Sequence, residues 1–332
     1  MPTRRTFLKT AAIGSTLLGA RGLATGAPVP GSLKAPAFAF DENQIRIFSP
    51  RFEQRTLATV VADTHLFRDD ARGIPYREYS GRMAKAYNRT RHYKTNAETS
   101  PEQGLIETLA MARDNKSDLF AMVGDIFSFP SEAAIDWVGE AVAGTGLPYL
   151  YVAGNHDWHY EGMEGTSESL RADWIRKRLA SLYQGRDPMM ACHTVNGIRF
   201  LAIDNSTYEI SEAQLAFFNE HAASGAPLVL LVHIPLYAKG RPVSFGCGHP
   251  NWGAATDKNF RVERRPQWPE AGHTEITKAF HRTVFSSRSL LCILAGHTHR
   301  QSMDWVNGIP QVVAEPNLRG GFLTVEFVPV PV

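Results

Sequence analysis

Leu57-Ala58-Thr59-Val60-Val61-Ala62, an unbroken apolar and β-branched run, ends at once in the polar cluster Asp63-Thr64-His65. Six such residues make a buried strand rather than a helix, because the run is too short for helical turns and Thr and Val favour a pleated backbone. The arrangement recurs along the chain. Asp118 to Val123 leads to Gly124-Asp125, and Pro148 to Val152 leads to Gly154-Asn155-His156-Asp157. Leu228 to Val232 leads to His233, and Leu290 to Leu294 leads to Gly296-His297-Thr298-His299. In an open α/β sheet, ligands gather beyond the carboxyl ends of the strands, so five clusters in this position converge on one cleft.

Helical patterns separate the runs. Ser100-Pro101-Glu102-Gln103 reads as a capping box with Pro in the first turn, ahead of Leu105, Leu109 and Ala112 on one face. Ser211 with Gln214 opens another helix, which buries Leu215 and Phe218. Ile135, Val138 and Val142, then Ile276, Phe280 and Val284, keep the helical period. Ile198 to Ile203 is a further strand, and residues 301–328 read as a meander broken at Asn307-Gly308 and Gly320-Gly321. The class is α/β, with the main domain over residues 55–328. Residues 25–54, with Pro28, Pro30, Pro36 and Pro50, read as a linker. Two long polar insertions, 67–99 and 237–273, read as functional loops or surface excursions.

Length and composition bound the rest. The 332 residues carry 35 basic and 33 acidic side chains, and no stretch reaches the roughly 18 apolar residues of a membrane-spanning helix. Cys192, Cys247 and Cys292 are too few for a disulfide framework, and Cys247 with His249 is too small a set for a metal site of its own. Residues 1–24 have the form of an export signal: Arg4-Arg5 followed by Phe7-Leu8-Lys9, an apolar run, and small residues up to Ala24. The paired arginines resemble the twin-arginine signal, which implies the twin-arginine export machinery as partner and a periplasmic or secreted destination. Removing this segment takes four basic residues and no acid, so the charge of +2 becomes −2 and no basic field for nucleic acid remains.

The donors that end the strands are Asp63, His65, Asp125, Asn155, His233, His297 and His299. Carboxylate, amide and imidazole without thiolate suit Mn, Fe or Zn, and seven donors exceed one tetrahedral ion but fit two that share a carboxylate. Two carboxylates leave two divalent cations with a net positive charge, to which a phosphate anion is attracted. Asn155, a neutral donor, preserves that excess.

The five clusters, in this order, resemble the calcineurin-like metallophosphoesterase superfamily over roughly residues 55–328. The resemblance implies a four-layer α/β/β/α sandwich of two mixed sheets, with a di-metal site at their rim. It implies that Asp63, His65 and His299 bind one ion, that Asn155, His233 and His297 bind the other, and that Asp125 bridges them. It further implies attack on phosphorus by a hydroxide held between the ions, departure of the alcohol assisted by His156, and orientation of His156 by Asp157. Ser128 stands where purple acid phosphatases of this superfamily carry an iron-binding tyrosine, which argues against a tyrosinate-bound ferric ion. Gly-Asn-His-Asp is more like the small-molecule phosphodiesterase and exported phosphatase branches, so the expected activity is an exported phosphoesterase with a lean to diesters. Phosphomonoester or pyrophosphate hydrolysis and a non-catalytic scaffold are the alternatives. Arg261, Arg264 and Arg265 in the second insertion are candidate grips for phosphate oxygens or a solvated charge run. Trp252 and Trp268 are expected to stack on substrate or to form the loop's own core.

Overall fold

The computed structural model describes residues 35–331; the expected export signal lies outside them. The strands in chain order are β1 (Ala37–Asp41), β2 (Gln44–Ser49), β3 (Thr56–Val61), β4 (Thr90–Arg91), β5 (Glu98–Thr99), β6 (Leu119–Val123) and β7 (Tyr149–Val152), then β8 (Met190–Val195), β9 (Ile198–Ile203), β10 (Leu228–Leu231), β11 (Leu290–Ala295), β12 (Ser302–Val306), β13 (Ile309–Val313) and β14 (Leu323–Pro329). One six-stranded sheet runs β1-β2-β14-β3-β6-β7 and a second runs β12-β13-β11-β10-β9-β8. Both are mixed. β3, β6 and β7 are parallel neighbours, as are β9, β10, β11 and β13, and antiparallel pairs close every edge but that of β7.

Strict alternation inside the apolar strands explains how two sheets and two helical layers share one chain. Leu119, Ala121 and Val123 of β6 face the core between the sheets, where they join Phe200, Val229 and Leu231 of the second sheet. Phe120 and Met122 face outward onto the helices Pro101–Asp114 and Glu132–Ala143, against Leu105, Leu109, Ile135 and Val138. Leu228 and Leu230 of β10 likewise face outward, toward Phe218, Phe280 and Val284 of the helices Glu212–Ala223 and Glu275–Val284. Strands buried on both faces read as continuous apolar runs, which is how they look in the sequence. The four-layer α/β/β/α sandwich is therefore as expected.

Three local readings change. Residues 37–49, expected as linker, form β1 and β2, and β2 pairs in parallel with β14 inside the first sheet. Ile45 and Ile47 alternate with exposed Gln44 and Arg46, a strand pattern that the flanking prolines obscure. The expected meander is instead a hairpin, β12–β13, turned at Asn307-Gly308, after which the chain crosses to the other sheet as β14. Ser100 caps its helix by accepting from the Gln103 N–H, but the Gln103 side chain turns to Glu107, so only half of that capping box forms. The box at Ser211 and Gln214 is complete. A helix at Ser167–Lys177, capped by Thr166 and Ser169, went unread because Leu170, Trp174 and Ile175 are its only buried residues.

Candidate metal centre

The donors leave their strands on backbone that most side chains avoid. Asp63, His65, Asp125, His297 and His299 all have left-handed φ, between 48° and 72°. Non-glycine residues rarely take this conformation, and it concentrates where surrounding structure forces a side chain into position. The adjoining glycines permit the crowding. At Gly124, with φ of 80°, a Cβ would collide with the His233 ring, and at Gly154 one would collide with the Asp125 carboxylate. Hydrogen bonds from Asp63 N–H to Gly124 O and from Gly296 N–H to His233 O lock neighbouring loops together.

All seven expected donors meet at this rim. Asp63, His65, Asp125 and His299 form one group and Asp125, His233 and His297 a second, each with its potential ligand atoms within 4.8 Å of one another. Asp125 belongs to both. Its Oδ2 is 3.1 Å from His233 Nε2 and 3.7 Å from His65 Nε2. Asn155 Oδ1 lies 3.0 Å from His297 Nδ1, which brings it to the second group. Asp63 accepts the His297 N–H at 2.9–3.0 Å and has Oδ1 3.4 Å from His299 Nε2. Nδ1–H of His233 donates to Val123 O at 3.0 Å, which turns Nε2 into the site, the usual way a ligating imidazole is aimed.

This donor set fits divalent cations. Asp63 and Asp125 are buried, yet among the described residues no Lys or Arg pairs with either. Burial holds His65 and His297 well below the ordinary imidazole value, so their ring nitrogens keep lone pairs. Burial would also push the Asp125 carboxyl up, but the imidazoles of His233 and His156 hold it well below its usual range. Burial opposes a charge on His233, yet Asp125 lifts it to about 9. His65 Nε2 and His299 Nε2 face each other at 2.8 Å, two nitrogens converging on one point.

His156 and Asp157 sit beside the donors with different partners. His156 is half-buried, 5.1 Å from the His65 ring, and its backbone N–H donates to Asp125 Oδ1 at 2.8 Å. Asp157 was expected to orient His156. Instead its two oxygens accept the backbone N–H groups of Phe127 and Gly154, both at 2.8 Å, so it ties the loop after β6 to the loop after β7. Burial pushes its pKa up to about 7. Ser128, also buried, donates to His65 O at 2.9 Å and offers nothing to the donor groups.

The insertions settle differently. Arg265 is engaged by protein carboxylates: its guanidinium meets both oxygens of Asp257 and one of Glu263, over the face of Tyr208. It is therefore not free to grip phosphate as expected. Arg264 donates to Glu78 O, and Arg261 lies over Phe260. Trp252 stacks on Tyr208 and His273, with Trp268 edge-on, so these tryptophans form the loop's own core. Two residues at the rim were missed. Tyr208 is buried, with its hydroxyl 3.3 Å from His297 Nε2, and Tyr87 of the first insertion packs against His65 and His299. Neither follows a strand in a donor cluster, so only the folded geometry reveals them.

The model of the calcineurin-like phosphoesterase family matches residues 57–301, and the chain belongs to that family. A search of curated proteins finds no match. Among solved structures, the chain is similar to a dimetal phosphatase from Danio rerio, with 14% identity, a TM-score of 0.51, and 81% of this chain and 91% of that chain covered. It is also similar to a purple acid phosphatase from yellow lupin seeds, with 14% identity, a TM-score of 0.45, and 87% of this chain covered. The chain spans about half, 49%, of the lupin protein.

Proposed function

We propose that this calcineurin-like phosphoesterase is an exported hydrolase of a small phosphodiester that works with two divalent cations. Asp63, His65 and His299 would hold one ion, Asn155, His233 and His297 the other, and Asp125 both. The observation that carries this reading is the sharing of Asp125 by two donor groups at one rim. Bound there, the ions supply Lewis acidity and net positive charge at phosphorus. The chain's own groups supply the rest. The His156 backbone N–H, fixed on Asp125 Oδ1, keeps the imidazole beside His65, where it would assist the departing alcohol oxygen. Asp157 keeps the loops after β6 and β7 in register beneath it. Asn155 binds without adding negative charge.

The lean to diesters rests on the Gly154-Asn155-His156-Asp157 block, and export rests on Arg4 and Arg5. The test is release of an aryl alcohol from matched monoesters and diesters, with nucleotides alongside and Mn, Zn and Fe supplied separately. Faster diester turnover is expected. Preference for monoesters or for a pyrophosphate bond would reassign the substrate, and no turnover with any metal would reject the enzyme. Replacing Arg4 and Arg5 by Lys should leave the precursor inside the cell, and normal export of that variant would reject the route.

A further inference from the structure

Within the first insertion, residues 82–93 are pinned on both sides to loops that build the metal centre. At one end, Arg82 forms a two-pronged ion pair with Glu161, whose side chain is 1% exposed and lies four residues beyond Asp157. At the other, the Thr90 hydroxyl donates to Leu318 O and the Tyr93 N–H to Arg319 O at 3.0 Å. The Leu318 N–H in turn donates to Asp63 O at 3.0 Å. A segment fastened to the site on both sides, at Arg82 and at Thr90, has little freedom to move away, and between the two is Tyr87.

The Tyr87 ring lies 4.6 Å from the His65 ring and 5.5 Å from His299, both in the first donor group. Tyr208, the tyrosine beside the second group, is buried under Trp252 and Arg265 and turns its hydroxyl to His297. Tyr87 differs on both counts. It is half-buried, and among the described residues its hydroxyl has no hydrogen-bond partner. A phenol packed beside these donors, with its own donor uncommitted, is free to donate to an oxygen of an anion bound there.

We propose that Tyr87 is a substrate-positioning residue, whose ring walls the first donor group and whose hydroxyl donates to a phosphoryl oxygen of the bound ester. This inference rests on the phosphoesterase reading but is separable from it. The variant Tyr87→Phe keeps the wall and removes only the donor. With the Mn-loaded protein, inorganic phosphate should bind Tyr87→Phe about tenfold more weakly than wild type, the loss expected for one hydrogen bond to a charged group. Metal content and melting temperature should not change, a result that a merely structural tyrosine would not give. The same factor should appear in kcat/KM for an aryl phosphodiester. Equal phosphate affinity in the two proteins overturns the proposal even if both hydrolyse esters. Weaker phosphate binding by the variant, with no hydrolysis by wild type, upholds Tyr87 as an anion-positioning residue and rejects the enzymatic reading instead. Tyr87→Ala, which removes the wall too, should lose further affinity for the aryl ester but not for phosphate.

Discussion

Asp125 concentrates the chemistry of the rim in one side chain. One oxygen accepts the His156 N–H while the other faces His233 and His65, so the carboxylate both shapes the loop and carries the charge. Asp125→Asn keeps the shape, because an amide oxygen can still accept from His156, but removes the charge that both donor groups share. Activity should fall by on the order of a hundredfold or more, and bound metal measured by elemental analysis should fall with it. A variant with full metal content and normal turnover would refute the shared-carboxylate arrangement. The seven donors were legible because each directly follows an apolar strand, and strand ends are where a sheet presents ligands. Asp157 was legible as a site residue but not in its bonding, since no sequence pattern says whether a carboxylate two residues past a donor turns to a side chain or to backbone amides. Tyr87 was illegible because its nearness to His65 depends on how an irregular insertion folds back.

Among the elements, strands buried on both faces were readable from apolar runs alone, whereas β1 and β2 toward a sheet edge were not, because the flanking Pro36 and Pro50 and the polar alternation resemble connecting chain. The insertions depend on paired charges rather than periodicity. Arg82, 45% exposed, covers Glu161 at 1%. Arg82→Met would leave a buried carboxylate without its cation. A fully buried pair would lose about 3–5 kcal/mol on such a change. With one partner half in water, about 1–2 kcal/mol is expected, read as a lower urea midpoint. An unchanged midpoint would show that water already satisfies Glu161. Glu209 plays the same part for the second insertion, joining His273 at its end to Thr274 and Thr277 at the start of the helix Glu275–Val284. Burial pushes its carboxyl up, but the bonds from His273 and Thr277 outweigh this and hold it below its ordinary 4.5. A depressed carboxylate contributes stability that is complete above the unfolded value and lost as pH falls through the folded one. The gap in melting temperature between wild type and Glu209→Gln should therefore close as the pH falls below 4.5. A gap that widens with acid would contradict the assignment.

At the scale of the whole molecule, the rim is where the two sheets meet. Asp63, His65, Asp125 and Asn155 come from loops after β3, β6 and β7 of one sheet, and His233, His297 and His299 from loops after β10 and β11 of the other. The apolar core between the sheets holds them face to face, but at this edge packing gives way to buried carboxylates that no Lys or Arg among the described residues neutralises. Ions that bind only the folded arrangement stabilise it by mass action, about 2.7 kcal/mol at a hundred times the dissociation constant. For a chain of this size that corresponds to a rise in melting temperature of roughly 4 °C. Chelation should reverse the rise, and Mn, Zn or Fe should restore it to different extents that rank the metals without any assay of turnover. The stabilisation should vanish in Asp125→Asn, which removes the charge shared between the sheets, yet persist in Tyr87→Phe, which removes a hydroxyl and no proposed ligand. If chelation leaves the melting temperature of the wild-type protein unchanged, the sheets are not joined through cations, and the left-handed backbone at five donors requires another cause.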